Sequence, residues 1–295
     1  MNKLLLPIFI LVTSVAVKGQ GMTSQHNVPF VLGKIERIHS NILSENRILN
    51  VYLPQGYDTD STTKYPVIYL LDGSADEDFI HIAGIVQFLN FSWIKILPKS
   101  ILVGIANVDR KRDFTFPTTV VEDKKELPTS GGSAKFIAFI GEELQPFIEK
   151  NFRTNSSKTL IGQSLGGLLA TEILFKKPAL FSKYIIVSPS LWWNNESIFQ
   201  MKAAARQEAP EVYIAVGNEE KVMKDDAKKL VSVLNTQDKK IKIHFKYFPR
   251  ENHATILHLA VYDAFETFAK NEFELSPANL YLSACFLFSQ SIRLF

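Results

Sequence analysis

Cysteine is nearly absent from this sequence, since Cys285 is the single one among 295 residues. One cysteine cannot form a disulfide within the chain, and it cannot supply the cysteine-rich ligand set of a structural zinc site. The fold must therefore depend on its hydrophobic core. A composition of 46% hydrophobic and 21% charged residues is typical of a globular protein with a sizeable core.

The sequence also lacks an excess of charge of either sign. The formal net charge is +3, and the lysines and arginines are scattered along the chain. A short basic cluster at 109–113 is flanked by two aspartates, which partly cancel it. The sequence predicts no continuous basic face, so nucleic acid is not expected as a partner.

The sequence also lacks a long apolar run at its N-terminus. A membrane-spanning helix needs roughly 20 apolar residues. The N-terminal run from Leu4 to Val17 is shorter than this, follows Lys3, and ends in small and polar residues. This pattern predicts a cleaved secretory signal peptide over residues 1–19, with a retained N-terminal anchor as the alternative. We therefore expect an exported protein, either periplasmic or secreted.

What the sequence does contain is an alternation of strand-like and helix-like segments, including an expected helix from Glu196 to Glu208. Such alternation predicts parallel strands joined by helices, and two early strands, 30–39 and 47–53, predict an antiparallel hairpin. We predict one three-layer α/β domain over residues 30–272, with a mostly parallel central sheet. An atypical tail, residues 273–295, follows it, and we attach no function to that tail.

The motif Gly-x-Ser-x-Gly occurs at 162–166, between an apolar strand-like run and an apolar helix-like run. Glycine on both sides of Ser164 allows a sharp strand-to-helix turn, which exposes the serine hydroxyl above the sheet. Ser164 is therefore the candidate nucleophile. The alternative is a serine that merely caps the N-terminus of the following helix.

A histidine base should follow the nucleophile in the chain, after an acidic residue. Of the three histidines downstream of Ser164, His244 falls on the polar face of a strand and His258 lies inside the last helix. His253 instead lies in the loop between the last strand and the last helix, at the sheet edge where ligands bind. We predict His253 as the general base, although it could simply begin the helix.

Two adjacent carboxylates, Glu219 and Glu220, end the strand before that loop. Either could hold the imidazole of His253 in the correct tautomer and stabilise the imidazolium ion. The chemistry does not distinguish them without knowledge of the turn, and we favour Glu220.

An oxyanion hole requires two backbone amides near the nucleophile. One would come from Leu165, directly after Ser164, and the other from Ser74 or Gly73 in the loop after the third strand. That loop could also be an ordinary strand-to-helix turn.

Four segments carry a resemblance to a known family. They are, in chain order, Tyr69-Leu70-Leu71-Asp72-Gly73, Gly162-Gln163-Ser164-Leu165-Gly166-Gly167, Ser188-Pro189-Ser190-Leu191-Trp192-Trp193 and Gly217-Asn218-Glu219-Glu220. Together they resemble the putative esterase family of α/β-hydrolases, which is similar to esterase D, the mycolyltransferases, feruloyl esterases and enterochelin-type siderophore esterases. The first and third segments look closest to the bacterial siderophore-esterase branch.

The resemblance implies an α/β-hydrolase fold and hydrolysis of a small-molecule ester through an acyl-enzyme. In the family pattern, Ser164 matches the nucleophile, His253 the base and Glu220 the acid. The amides of Ser74 and Leu165 match the oxyanion donors. No metal, nucleotide or flavin motif occurs in the sequence, so we expect no cofactor and no metal, with water as the second substrate.

The resemblance also indicates substrate-binding residues. Arg110 and Arg112 lie in a segment that resembles the family's arginine loop, where either could bind an anionic group or pair with an aspartate of the loop. Phe116 departs from the family pattern in that loop. Trp192 and Trp193 could line the cleft, or at least one of them could pack in the core.

The sequence does not distinguish between two classes of natural ester substrate. A catechol siderophore suits aromatic walls with cationic side chains, whereas a feruloylated or acetylated glycan suits aromatic walls alone. A serine peptidase and a non-catalytic hydrolase-like binding protein are the alternatives from other classes. A binding protein would typically have lost a catalytic residue, and the sequence retains a candidate for each role.

Overall fold

A computed structural model describes residues 28–205 and 207–274 of the chain. The predicted signal peptide lies outside the described residues, and so does the predicted tail from residue 275 onward. Within the described residues, eight strands form one sheet. The strands are, in chain order, β1 (Lys34–Ser40), β2 (Glu45–Tyr52), β3 (Tyr65–Leu70), β4 (Ile101–Ile105), β5 (Thr154–Gln163), β6 (Lys183–Val187), β7 (Glu211–Gly217) and β8 (Lys242–Phe248).

The sheet is mostly parallel, and its strands lie in the order β1-β2-β4-β3-β5-β6-β7-β8. β1 and β2 form an antiparallel hairpin, and β2 also runs antiparallel to β4. The remaining neighbours pair in parallel. The predicted α/β fold, with a mostly parallel sheet and an antiparallel N-terminal hairpin, is confirmed. β1 begins at Lys34 and not at Phe30, whose side chain is exposed.

Helices connect the strands. In the described part of the chain they are α1 (Phe79–Leu89), α2 (Arg110–Phe114), α3 (Val121–Glu126), α4 (Ser133–Phe139), α5 (Gln145–Asn151), α6 (Leu165–Lys176), α7 (Trp193–Glu196), α8 (Lys221–Gln237) and α9 (Ile256–Glu274). A π-helical turn, Ile140–Leu144, joins α4 to α5. None of the helices within the described ranges is long and apolar enough to cross a membrane.

The helices cover both faces of the sheet. Crossovers between parallel strands are right-handed, and the strand order reverses at β3, so α1 lies on the face opposite to α6 and α8. α9 packs against α1 and against β6 and β7. The strands between these layers need apolar residues on both faces, and β4 is accordingly buried along its whole length.

The expected helix from Glu196 to Glu208 is wrong. Only the short α7 and one turn of 3-10 helix, Ser197–Gln200, occupy its beginning. Glu196, the first residue of the expected helix, is left-handed with a φ of 56°, and Met201 after the 3-10 turn is extended with φ −68° and ψ 133°. A regular right-handed helix can contain neither conformation.

Candidate active site

The residues predicted to act together follow neighbouring strands of the sheet. Ser164 comes directly after β5, Glu219 after β7 and His253 after β8. Because these strands are parallel, their carboxyl ends lie at one edge, which is where ligands bind in open α/β sheets. Helix α6 begins at the same edge.

Ser164 sits on a strained turn between β5 and α6. Its φ and ψ are 59° and −120°, a region that residues other than glycine rarely adopt. The neighbouring glycines make the turn possible, because a Cβ on Gly162 would lie 2.4 Å from the carbonyl oxygen of Gly166. The side chain of Ser164 makes no capping hydrogen bond to α6, so the alternative role of a helix N-cap finds no support.

The hydroxyl of Ser164 faces a cavity of about 420 Å³. Its Oγ lies 3.3 Å from the Oγ of Ser190. The cavity is lined by Ser164, Ser190, Trp192, Asn218, Glu219, Glu220, Met223, Asn252 and His253. The predicted nucleophile, the predicted base and both candidate acids therefore share one cavity.

His253 is paired with a carboxylate, and that carboxylate belongs to Glu219. The Nδ1 of His253 lies 2.7 Å from Oε2 of Glu219. The carboxylate is 4% exposed, whereas the imidazole is 46% exposed. With Nδ1 committed to Glu219, Nε2 is the ring nitrogen left to accept a proton from a nucleophile.

Glu220, which we favoured from the sequence as the acid, does not contact His253. It is the N-cap residue of α8, and its side chain lines the cavity without a hydrogen bond to His253. The reason is a tight turn after β7, in which the amide of Gly217 donates to Oε1 of Glu219 at 3.0 Å. This turn directs residue 219, and not residue 220, toward the imidazole.

The environment of Glu219 keeps it ionised. Burial by itself would raise the pKa of this carboxyl group. The hydrogen bonds from His253, Ser188 and the amide of Gly217, together with the charge on the imidazole, outweigh burial and lower the pKa below its ordinary value. An ionised carboxylate at this point can stabilise an imidazolium ion on His253.

The candidate amides for an oxyanion hole differ in whether they already have a hydrogen-bond acceptor within the protein. Leu165 is the first residue of α6, so its amide has no acceptor within the helix. The amide of Gly73 donates to the carbonyl oxygen of Ile105 at 3.0 Å and is therefore committed. Ser74 is the remaining donor of the two that the sequence offered.

The chain matches the family described as Putative esterase over residues 40–269. The chain belongs to this family. The ferri-bacillibactin esterase BesA of Bacillus subtilis is 30% identical over 244 residues, which are 74% of this chain and 83% of that protein. The siderophore enterobactin esterase of Emericella nidulans is 42% identical over 89 residues, 29% of either chain.

Among solved structures, an IroE-like serine hydrolase from Shewanella oneidensis superposes with a TM-score of 0.73 at 32% identity. The superposition covers 81% of this chain and 80% of that one. Family and relatives identify the chain as a carboxylic ester hydrolase of the α/β type.

Arg110 of the esterase contacts the turn that carries Ser164. Its Nε and Nη2 donate to the two carboxylate oxygens of Asp72 at 2.6 and 2.9 Å, and Nη2 also lies 3.3 Å from the carbonyl oxygen of Gln163. Asp72 is buried and also accepts a hydrogen bond from the side chain of Asn107 at 2.7 Å. The guanidinium group of Arg110 is therefore already paired within the protein.

Arg112 is also paired. It donates to Glu45 through both terminal nitrogens and to Asp113 at 2.8 Å through Nε. The hydrogen bond to Asp113, followed by that to Glu45, raises the pKa of Arg112 above its ordinary value. The alternative of a pair with an aspartate of the same loop describes Arg112, which contacts Asp113. Arg110 is also paired, but with Asp72 in the loop after β3.

The two tryptophans are divided between core and cavity. Trp193 is fully buried, and its indole nitrogen donates to the carbonyl oxygen of Phe116 at 2.8 Å. Trp192 is half-buried and lines the cavity, with its ring centroid 6.2 Å from that of Trp193. One aromatic wall is therefore available to a substrate.

Three residues at this edge had no assigned role from the sequence. The side chain of Gln163 donates to the carbonyl oxygen of His253, so the nucleophile elbow, which is the strand-to-helix turn at Ser164, and the loop of His253 are connected. The hydroxyl of Ser188 donates to Glu219, and Ser190 contacts Ser164. In the sequence, only the motif Ser-Pro-Ser marked the two serines. Their contacts with Glu219 and Ser164 depend on the fold and could not be predicted from the motif. No cluster of three or more metal-ligating side chains occurs in the described ranges.

Proposed function

We propose that this esterase cleaves its substrate with Ser164 as nucleophile, His253 as general base and Glu219 as the acid that orients the base. The observation that carries the proposal is the 2.7 Å contact between Nδ1 of His253 and Glu219, in the same cavity as the strained Ser164. A buried carboxylate against an imidazole, in one cavity with a serine on a strained strand-to-helix turn, supports a hydrolytic triad.

The chemistry follows in two stages. In the first, Oγ of Ser164 bonds to the carbonyl carbon of the ester while Nε2 of His253 takes the hydroxyl proton. The carbonyl oxygen becomes an oxyanion, which the amides of Leu165 and Ser74 would stabilise. When the intermediate collapses, the ester C–O bond breaks and the imidazolium ion returns its proton to the leaving alcohol.

In the second stage, water repeats these steps on the acyl-enzyme. His253 removes a proton from the water molecule, the hydroxide attacks the acyl carbon, and Ser164 leaves with the proton from the imidazolium ion. Glu219 remains ionised throughout and stabilises the positive charge each time it forms. The reaction consumes one water molecule and releases an alcohol and a carboxylic acid.

For the natural substrate we propose a siderophore ester. The support is the naming of the relatives as esterases of ferri-bacillibactin and of enterobactin. Trp192 in the cavity wall could stack on an aromatic ring of such a ligand.

A second candidate is an uncharged feruloyl or acetyl ester on a glycan. It is favoured by the pairing of Arg110 with Asp72 and of Arg112 with Glu45, which leaves the aromatic wall without these two cations. An anionic catecholate complex would lose the expected cationic partners, whereas a neutral ester would not need them.

We further propose that the esterase is exported. The support is the sequence of residues 1–19, which lies outside the described residues. Amino-terminal sequencing of the protein from the periplasm or the medium should begin after residue 19.

The test is hydrolysis of p-nitrophenyl acetate and butyrate by the wild type, Ser164→Ala and a matched control. Ser232→Ala makes the same change on the exposed surface of α8 and should leave turnover unchanged. We expect Ser164→Ala to lose at least about 10³-fold in kcat with an unchanged Tm. Wild-type turnover in that variant would refute the nucleophile, and inactivity of the wild type on all esters would favour a binding protein.

The same proteins should then be given a tris-catecholate trilactone, with and without iron(III), and ethyl ferulate. A higher kcat/KM for the trilactone supports the siderophore proposal. A higher kcat/KM for the ferulate supports the glycan ester.

A further inference from the structure

A turn at the end of β6 lies between the nucleophile and the acid. It consists of Ser188, Pro189 and Ser190. On one side, the amide of Ser190 donates to the carbonyl oxygen of Ser164 at 3.0 Å. On the other side, the amide of Ser188 donates to the carbonyl oxygen of Ala215 at 2.8 Å, at the end of the strand that carries Glu219. The turn thus connects the two parts of the site through its backbone.

Ser188 also contacts the acid through its side chain. The residue is fully buried and has a positive φ of 42°, a conformation that disfavours a side chain with a Cβ. Its hydroxyl donates to Oε1 of Glu219. The backbone of a serine is strained at this angle. The hydrogen bond to Glu219 is the interaction that the Ser188 side chain makes there.

The two oxygens of the Glu219 carboxylate have separate partners. Oε1 accepts from the Ser188 hydroxyl and from the amide of Gly217, and Oε2 faces Nδ1 of His253. Two donors on Oε1 fix the rotation of the carboxylate about its last bond, and this rotation sets where Oε2 lies. The orientation of the imidazole therefore depends on Ser188, although Ser188 has no contact with His253 among the hydrogen bonds of the described residues.

We propose that Ser188 is a positioning residue, which holds the Glu219 carboxylate and through it orients the His253 base. This inference rests on the proposed role of Glu219. Without the hydroxyl, Oε1 keeps one donor, and the carboxylate can rotate away from Nδ1. Proton transfer between Ser164 and the imidazole then loses alignment, whereas substrate binding is unaffected because Ser188 is fully buried and does not line the cavity.

Ser188→Gly is the variant that isolates the hydroxyl. Glycine adopts a positive φ without strain, so the backbone of the turn is retained. The matched control is Ser44→Gly, which makes the same change at an exposed serine with a φ of 55°, in the turn between β1 and β2. We expect Ser188→Gly to lower kcat by about 10-fold to 100-fold with KM within about twofold of wild type, and Ser44→Gly to lower neither.

A double-mutant cycle with Glu219→Gln tests whether Ser188 acts through the acid. The four proteins are the wild type, Ser188→Gly, Glu219→Gln and the double variant, with kcat on p-nitrophenyl butyrate as the readout. If the inference is correct, Ser188→Gly lowers kcat in the wild-type background and has less than about a twofold effect in the Glu219→Gln background, because residues that act as a unit are not additive.

Three outcomes would overturn the inference, and each is distinct. An equal loss in both backgrounds would mean that Ser188 acts on packing and not through Glu219. A Ser188→Gly variant with wild-type kcat, beside an impaired Glu219→Gln, would refute the role of Ser188 and leave the proposed triad standing. A Glu219→Gln variant with wild-type kcat would refute the acid itself, and with it the path by which Ser188 could act.

Discussion

Replacing Glu219 with glutamine is the sharpest test of the site, because it changes one charge and almost no volume. The carboxylate is 4% exposed and lies 2.7 Å from the Nδ1 of His253. Glutamine could still accept a hydrogen bond from that nitrogen through its amide oxygen. What it cannot supply is the negative charge that stabilises an imidazolium ion while the serine attacks.

The size of the loss can be worked from the geometry. Two unit charges centred about 4 Å apart interact by about 4 kcal/mol at an effective dielectric constant of about 20. The imidazole of His253 is 46% exposed, and solvent screening at such exposure reduces the interaction to about 2 kcal/mol. At about 1.36 kcal/mol for each factor of ten, the screened interaction corresponds to a loss of kcat of about 30-fold. The unscreened interaction sets the upper limit of the loss at about 1,000-fold.

The assay is kcat for p-nitrophenyl butyrate at a single pH, with Tm recorded for each variant. The matched control is Glu220→Gln, one residue further on, where the same change removes a charge that has no hydrogen bond to His253. We expect less than about a threefold effect from the control, since its charge acts only through solvent. A larger loss from Glu220→Gln than from Glu219→Gln would refute the assignment of the acid.

Two further predictions concern the arginine loop and the tryptophans. Arg110→Lys breaks the bidentate contact that braces the elbow, so kcat should fall by about tenfold, whereas Arg112→Lys should lower Tm and leave kcat near wild type. An equal loss of kcat in both variants would contradict this role of Arg110. Trp192→Ala should raise KM for aryl esters at little change in Tm, and Trp193→Ala should destabilise the fold by about 3–5 kcal/mol in urea unfolding. Unchanged KM in Trp192→Ala would remove that side chain from the substrate site.

Much of the architecture could be predicted because it follows from periodicity. The runs at 65–70 and 101–105 are apolar on both faces, as strands between two helix layers must be. The elbow could be predicted because the close approach of β5 and α6 leaves no room for a larger residue at Gly162, so the glycines around Ser164 mark this turn. His253 followed from elimination, since chain order and strand ends left one suitable loop.

The choice between Glu219 and Glu220 could not be predicted, because neighbouring residues in a turn point in different directions. Which of the two faces His253 depends on the hydrogen bond from the amide of Gly217 and on that from Ser188, which is 31 residues away in the chain. The pairing of Arg110 with Asp72 is similar, with 38 residues between the partners. Composition and spacing carry no information on such contacts, so the sequence could not decide whether Arg110 binds a substrate or an aspartate.

The pairing of Arg110 also limits how the esterase can recognise a ligand. If a substrate anion drew Arg110 away, the buried carboxylate of Asp72 would lose its charged partner, and leaving a buried charge unpaired costs about 3–5 kcal/mol. The elbow would lose its brace in the same step, so binding by this route would oppose catalysis. Recognition should therefore come from groups already facing the cavity, above all the ring of Trp192 and the amides of Asn218 and Asn252. These groups suit an aromatic ring and neutral ester oxygens, and a negatively charged iron complex would have to place its charge outside this cavity, toward solvent.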